Sequence, residues 1–271
     1  MVLLQLTCAG IVILYLAMAA RRVPSWWILL RQLLVLGAAS WIAEDTCIRM
    51  YGFYAYSPAW FPFIDRMPVA IALIWPVVIL SAAEMARHLM GGRFVPLVAA
   101  VIVLVDASFI EPAAVQAGLW AWTVPGFLGV PPIGVLGWAF FAGASLWIQE
   151  RVGPRVRDAA TILGAPVLTH LALLATWWGA ARWVSVDLNP WVVVMAGSAA
   201  ALGFTVFSVG RGLRFRVPRA VMLSRVPAAV FFLVLLALYA REAWPLLAWA
   251  MVFNPVYLSV TDVWGRTRAS G

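Results

Sequence analysis

The sequence predicts an all-α fold, a polytopic transmembrane bundle of eight or nine helices, and three observations carry that prediction. Of 271 residues, 65% are hydrophobic and only 11% are charged. The mean hydropathy is +0.95. Apolar runs of crossing length follow one another along the whole chain, where one crossing takes about 20 residues. No polar stretch is long enough for a second, soluble unit, so residues 1–271 are expected to form a single transmembrane domain.

Each expected span is an apolar run bounded by charge or by Pro and Gly: 2–20, 28–43, 68–86, 94–117, 128–149, 159–181, 190–209, 226–240 and 243–260. The first run has no basic segment before it, so it reads as a retained helix rather than a cleaved leader. The last two are separated only by Arg241 and Glu242, and if they form one broken helix the count is eight. Asn254-Pro255 predicts a kink in the final run.

All 19 basic residues are arginines. Connections one, three, five and seven hold 13 of them, among them Arg21, Arg22, Arg87, Arg151 and Arg211. The even connections hold four: Arg49, Arg66, Arg182 and Arg241. Cytoplasmic loops are enriched in arginine, so the odd connections are expected inside and the N-terminus outside. The C-terminal Arg266 and Arg268 then fall inside if there are nine spans. These features predict an integral membrane protein, with a prokaryotic cytoplasmic membrane as the expected location.

Composition also excludes functions. A retinal protein needs a lysine for its Schiff base, and the chain has none. With two histidines, His88 and His170, and two cysteines, Cys8 and Cys47, neither an iron-binding histidine cluster nor a disulfide framework is expected, and no metal site. No Walker loop and no aspartate-rich diphosphate motif is present. The formal charge of +8 reads as arginine facing anionic lipid, with no nucleic-acid partner.

The most informative feature is an internal repeat. The second connection reads Asp45, then Gly52-Phe53-Tyr54-Ala55-Tyr56-Ser57, then Pro68 and Trp75; the fourth reads Glu111, then Gly118-Leu119-Trp120-Ala121-Trp122-Thr123, then Pro131 and Trp138. In both, an acid precedes the glycine by seven residues and a tryptophan follows the proline by seven. The 66-residue offset from Gly52 to Gly118 equals two crossings with their connections, so both copies emerge on one side. This reads as a parallel repeat of helix, aromatic loop and helix, or as convergence, since glycine, proline and interfacial aromatics are common at membrane edges.

Ionisable groups inside a span cost about 2.5–3.5 kcal/mol and point to function. Glu44, Asp45, Asp106 and Glu111 qualify as candidate catalytic acids. Asp106 is the deepest, with no arginine within ten residues on either side, and Pro112 is expected to push Glu111 out of helical geometry. A buried carboxyl that stays protonated can serve as a general acid. The competing role is structural, with the acids capping broken helices or bonding to tyrosine and tryptophan across the bundle.

Tyr54, Tyr56, Trp75, Trp120, Trp122 and Trp138 are candidate substrate-binding residues. Their ring faces could hold a carbocation at about 0.5–2 kcal/mol each, or they could form an interfacial aromatic belt. His170 reads as a core histidine bonded to a hydroxyl, or as a proton relay. Glu84, Arg87 and His88 have the helical spacing of a local ion-paired helix end.

At Gly52, Tyr54 and Tyr56, then Asp106, Glu111-Pro112, Trp120, Trp122, Gly129, Pro131 and Gly137-Trp138, the sequence resembles the integral-membrane carotenoid biosynthesis family, which includes carotenoid hydratases. Glu111-Pro112 stands where that family usually has Asp-Pro, and Gly134 where it usually has asparagine. The resemblance implies a hydro-lyase that needs no cofactor. It would protonate a terminal double bond of a carotenoid or long isoprenoid and let water capture the cation. Cyclisation begins with the same protonation, and a membrane transporter or lipid-binding protein could use the same acids without catalysis. The implied partners are membrane lipid, a hydrophobic polyene or isoprenoid substrate, and other enzymes of the same pathway.

Overall fold

Long apolar runs become helices because lipid offers no partner to a backbone N–H or C=O. The computed structural model describes residues 2–124, 126–179, 189–213 and 216–262. Of the arginines counted above, Arg182, Arg214, Arg266 and Arg268 lie outside those residues. The helices are α1 (Val2–Ala20), α2 (Trp26–Tyr51), α3 (Val69–Met90), α4 (Val95–Gln116), α5 (Pro132–Arg151), α6 (Arg157–Leu173), α7 (Pro190–Gly210), the short α8 (Arg219–Leu223), α9 (Val226–Tyr239) and α10 (Trp244–Val260). A π-helical turn, Leu174–Trp178, extends α6. Seven helices, counting α6 with its extension, are long and apolar enough to cross a membrane. The protein is therefore an integral membrane protein with the expected all-α bundle.

The last two runs are separate helices of 14 and 17 residues, broken at Arg241 and Glu242. At 1.5 Å per residue they are only about 21 and about 26 Å long, against roughly 30 Å of hydrocarbon. Local chemistry fixes the ends of several helices. Ser25 and Asn189 accept the backbone N–H of Trp27 and Trp191 at the starts of α2 and α7, while Gly52 and Gly91 close α2 and α3 in the left-handed region. Two sequence expectations change here. Helix α2 runs eight residues beyond the expected 43, through both acids to Tyr51. Helix α4 stays helical through Pro112, so Glu111 keeps helical geometry.

Helices α2, α3, α4, α5 and α6 each pack on the next, and α6 returns to α2, closing a five-helix ring. Helix α1 packs on α3 and α9 on α4, while α7 and α10 form a pair that meets the ring through α4. Arginine-bearing turns gather at one end of the bundle, where Arg22 bonds Glu84 at 2.7 Å and Arg31 bonds Asp158 at 2.6 Å. Glu84 thus reaches a residue 62 positions away rather than the local partners its spacing suggested.

The two repeat loops meet at the opposite end. Strand β1 (Tyr54–Tyr56) pairs antiparallel with β4 (Trp120–Trp122), with Tyr54 opposite Trp122, Ala55 opposite Ala121 and Tyr56 opposite Trp120. Shifting each residue by 66 positions exchanges the outer two pairs and leaves the alanine pair in place. The ribbon therefore has a local two-fold axis through Ala55 and Ala121. The flanking bonds obey it too: Ser57 N donates to Leu119 O at 3.0 Å, and Thr123 N donates to Phe53 O at 2.7 Å. Gly52 and Gly118, at φ +61° and +68°, turn the chain from helix to ribbon in both copies. A second hairpin pairs β2 (Phe63–Ile64) with β3 (Met67–Pro68) in the first copy, and a single antiparallel bridge, Phe127 to Val130, stands at the corresponding place in the second.

Candidate active site

Helices α2 and α4 run toward the ribbon and carry Glu44 and Glu111 near their ends; α3 and α5 run away from it and carry Trp75 and Trp138 near their starts. The ring brings all four to one cavity beneath the ribbon, of about 120 Å³ and almost wholly apolar, which Tyr54, Tyr56, Trp120 and Trp122 also line.

The carboxyls are cradled by the aromatics. Trp120 Nε1 and Trp122 Nε1 donate to Glu111 Oε2 at 2.8 and 3.1 Å, and Trp138 Nε1 donates to Oε1 at 2.6 Å. Tyr56 OH donates to Glu44 Oε2 at 3.0 Å, and Trp75 Nε1 donates to Oε1 at 3.1 Å. Trp75 and Trp138 lie against each other with centroids 4.4 Å apart, and Tyr54 meets Trp122 at 4.7 Å. The bonding of the acids to tyrosine and tryptophan across the bundle, one of the two roles open from sequence, is thus present. Burial and the neighbouring Glu44 carboxyl push the Tyr56 phenol well above its usual range, so it stays a donor.

The other two acids lie elsewhere. Asp45, one residue along α2, turns away from the cavity and accepts Arg49 Nε at 2.8 Å and the backbone N–H of Arg66 at 3.0 Å. Asp106 is ion-paired with Arg225, a partner 119 residues away in sequence, and accepts Tyr257 OH at 2.5 Å. Asp106, with no arginine near it in sequence, thus gains one through the fold. Its surroundings are a second cavity between α3, α4, α9 and α10. All six aromatic candidates do line the first cavity.

Further residues complete the cavity. Trp60 lines the cavity and donates Nε1 to Leu119 O at 2.9 Å, tying the first loop to the second. Phe231 and Phe232 of α9 complete the wall, from an apolar run in which nothing marks them out. The free thiols Cys8 and Cys47 also line it. His170 is bonded to hydroxyls as expected, with Thr46 Oγ1 2.7 Å from Nε2 and Tyr51 OH 3.0 Å from Nδ1.

Gly134 clarifies one departure in the motif. A Cβ placed there would stand 2.6 Å from Trp122 Cζ2, so the indole fills the space that a side chain would need. Residues 1–206 match the family described as carotenoid biosynthesis protein, which is three-quarters of the chain and includes both cradled acids with all their indole and phenol partners. The chain belongs to the carotenoid biosynthesis protein family. No curated protein and no solved structure matches it. Membership in the carotenoid biosynthesis family, together with the helices, gives an integral membrane protein with a role in carotenoid biosynthesis and contacts to lipid and isoprenoid. The family match stops inside α7, so Arg225 and Tyr257, which complete the Asp106 cluster, lie beyond it.

Proposed function

We propose that this protein hydrates a terminal double bond of a carotenoid or other long isoprenoid without a cofactor. One observation carries the reading: Glu44 and Glu111 share an aromatic cavity, and among the described residues only indole and phenol groups hydrogen-bond to their carboxyls. Such a pair can divide acid and base work.

Hydrogen-bond inventory suggests the division. The indoles around Glu111 can only donate, which suits a carboxylate. The Tyr56 hydroxyl on Glu44 can also turn and accept, which suits a carboxyl that carries a proton. In the proposed reaction Glu44 gives its proton to the less substituted alkene carbon, leaving a tertiary cation. The faces of Trp75, Trp120, Trp122, Trp138 and Tyr54 stabilise that cation. Water then adds through oxygen and loses a proton to Glu111. The sum is alkene plus water to tertiary alcohol, and transfer of a proton from Glu111 back to Glu44 resets the pair. The arginine asymmetry further supports placing the ribbon and the N-terminus outside.

The test is purified protein in lipid micelles with an acyclic polyene hydrocarbon bearing trisubstituted ends. The expected product is heavier by one water and, from deuterated water, carries deuterium on carbon. Glu44→Gln and Glu111→Gln should each lower turnover by about 10² or more, the scale of general acid–base catalysis. A cyclised product of unchanged mass would replace hydration by cyclisation. Binding without any covalent product would leave a transporter or lipid-binding protein.

A further inference from the structure

Hydration consumes a water in every cycle, yet the Glu44–Glu111 cavity is walled by hydrocarbon and indole. The second cavity is also lined mainly by apolar side chains, but it holds an ion pair. It is larger, at about 240 Å³, and contains Asp106, Arg225, Ser81, Asn254 and Tyr257. At ~30 Å³ per water it has room for roughly eight. A guanidinium has five N–H donors, and in Arg225 one is held by Ser81 Oγ at 2.7 Å and one by Asp106. Its Cζ lies 5.3 Å from the centre of the Tyr257 ring, so the cation is fixed in place. Charges at this depth pair with one another or face a water-filled cavity rather than hydrocarbon.

Position links the two cavities. Asp106 and Glu111 are five residues apart on α4, an axial rise of about 7.5 Å. Met222, Ser224 and Arg225, from the connection at the arginine-rich end, line the second cavity. Between the two lies a thin apolar wall: Val77, Val78, Ile110, Ala228 and Phe232 line both.

We infer that the second cavity is an aqueous vestibule reached from the arginine-rich end, and that it delivers the water consumed at the Glu44–Glu111 site across this wall. The inference rests on the hydration reading. The wall keeps bulk water off the cation while admitting single molecules at the face opposite the ribbon. If water is withheld, the cation must instead lose a proton from a neighbouring carbon to a carboxylate, which returns an isomerised alkene and consumes no water. The vestibule therefore sets the ratio of alcohol to isomerised alkene.

Two measurements test this. The first needs no activity. In a chain whose Cys8 and Cys47 are replaced by alanine, single cysteines at Ala229, which lines the vestibule, and at Val230, which is 52% exposed on the outside of α9, are treated with a membrane-impermeant thiosulfonate. Ala229→Cys should react from the arginine-rich side and Val230→Cys should not. An unreactive Ala229→Cys, or equal reactivity of the two, overturns the vestibule. The second measurement uses the double variant Asp106→Leu/Arg225→Met, which removes both charges together so that neither is left buried alone. In deuterated water, the share of deuterium-labelled product that is alcohol should fall by about tenfold or more, equal to about 1.4 kcal/mol on the barrier to water capture. An unchanged share in the folded variant overturns delivery. If the wild type converts no polyene, the hydration reading falls and delivery with it, while the Ala229→Cys result still decides whether the cavity holds water.

Discussion

Replacing each cradled acid by its amide should have unequal effects on stability, and the inequality follows from the donors around each carboxyl. In Glu111→Gln the amide oxygen can keep only one side of the cradle. Its best orientation leaves the oxygen on Trp120 and Trp122 and points the NH₂ at Trp138 Nε1, which stands 2.6 Å from Oε1 in the native protein. Two donors then face each other, so one hydrogen bond is lost and a buried N–H is left unpaired, at a cost of about 1–3 kcal/mol. The reverse orientation loses two bonds and is worse. In Glu44→Gln the amide oxygen can keep Trp75, while the NH₂ faces the Tyr56 hydroxyl, which turns and accepts. Both contacts keep a donor facing an acceptor, and the expected change is smaller than for Glu111→Gln, within about 0.5 kcal/mol. Reversible unfolding in mixed detergent micelles reads both values. Equal destabilisation by the two amides, or a neutral Glu111→Gln, would refute the cradle geometry, because no arrangement of three indole donors accommodates an amide without loss.

Gly134→Ala should displace Trp122 and destabilise by about 1–3 kcal/mol through overpacking. In a Trp122→Phe background the same change should cost much less, because a phenyl ring does not reach as far as Cζ2; equal costs in the unfolding assay would show that another contact confines Gly134. Tyr56, whose folded phenol is held above its unfolded value by burial and by Glu44, contributes stability that is complete below about pH 10 and is lost as pH rises toward its folded value. Tyr56→Phe should therefore flatten the alkaline limb of the stability profile, and an unchanged slope would contradict the assigned environment. Single cysteines at Ala59, beside the ribbon, and at Arg219, at the opposite end, are both exposed and should label from opposite sides of the membrane, Ala59→Cys from outside; labelling from one side would overturn the topology.

Apolar run length made the bundle legible, and the places where it misled have physical causes. The run in α2 ends at 43 because Glu44, Asp45 and Arg49 follow, whereas the helix continues because the ring and the first loop satisfy those groups internally. Within that stretch, counting from glycine aligns Asp45 with Glu111, yet Glu44 shares the cavity. One residue turns a helix by about 100°, so spacing along the chain selects the neighbourhood of the acid and packing selects its face. The aromatic residues were easier, because alternate positions of a strand share a face and both copies keep the same alternation. Arg225 could not be tied to Asp106 from sequence. It sits in an arginine-rich connection, and only the return of α9 and α10 to α4 brings the two together.

The ribbon's two-fold axis bears on the chemistry as well as the fold. A strictly symmetric cavity would hold two equivalent carboxyls, with no basis for one to give a proton while the other receives one. This cavity departs from symmetry at the residues that touch the acids. Tyr56 stands where the second copy has Trp122, and the first copy's counterpart of Trp120 is Tyr54, which makes no bond to Glu44 but packs on Trp122. Glu111 thus meets three groups that can only donate, and Glu44 meets one such group and one hydroxyl that can reverse. Under the proposed mechanism, the exchange of indole for phenol on one side of a shared ribbon, with Glu44 one residue off the repeat register, separates the two acids while the scaffold that places them is left intact.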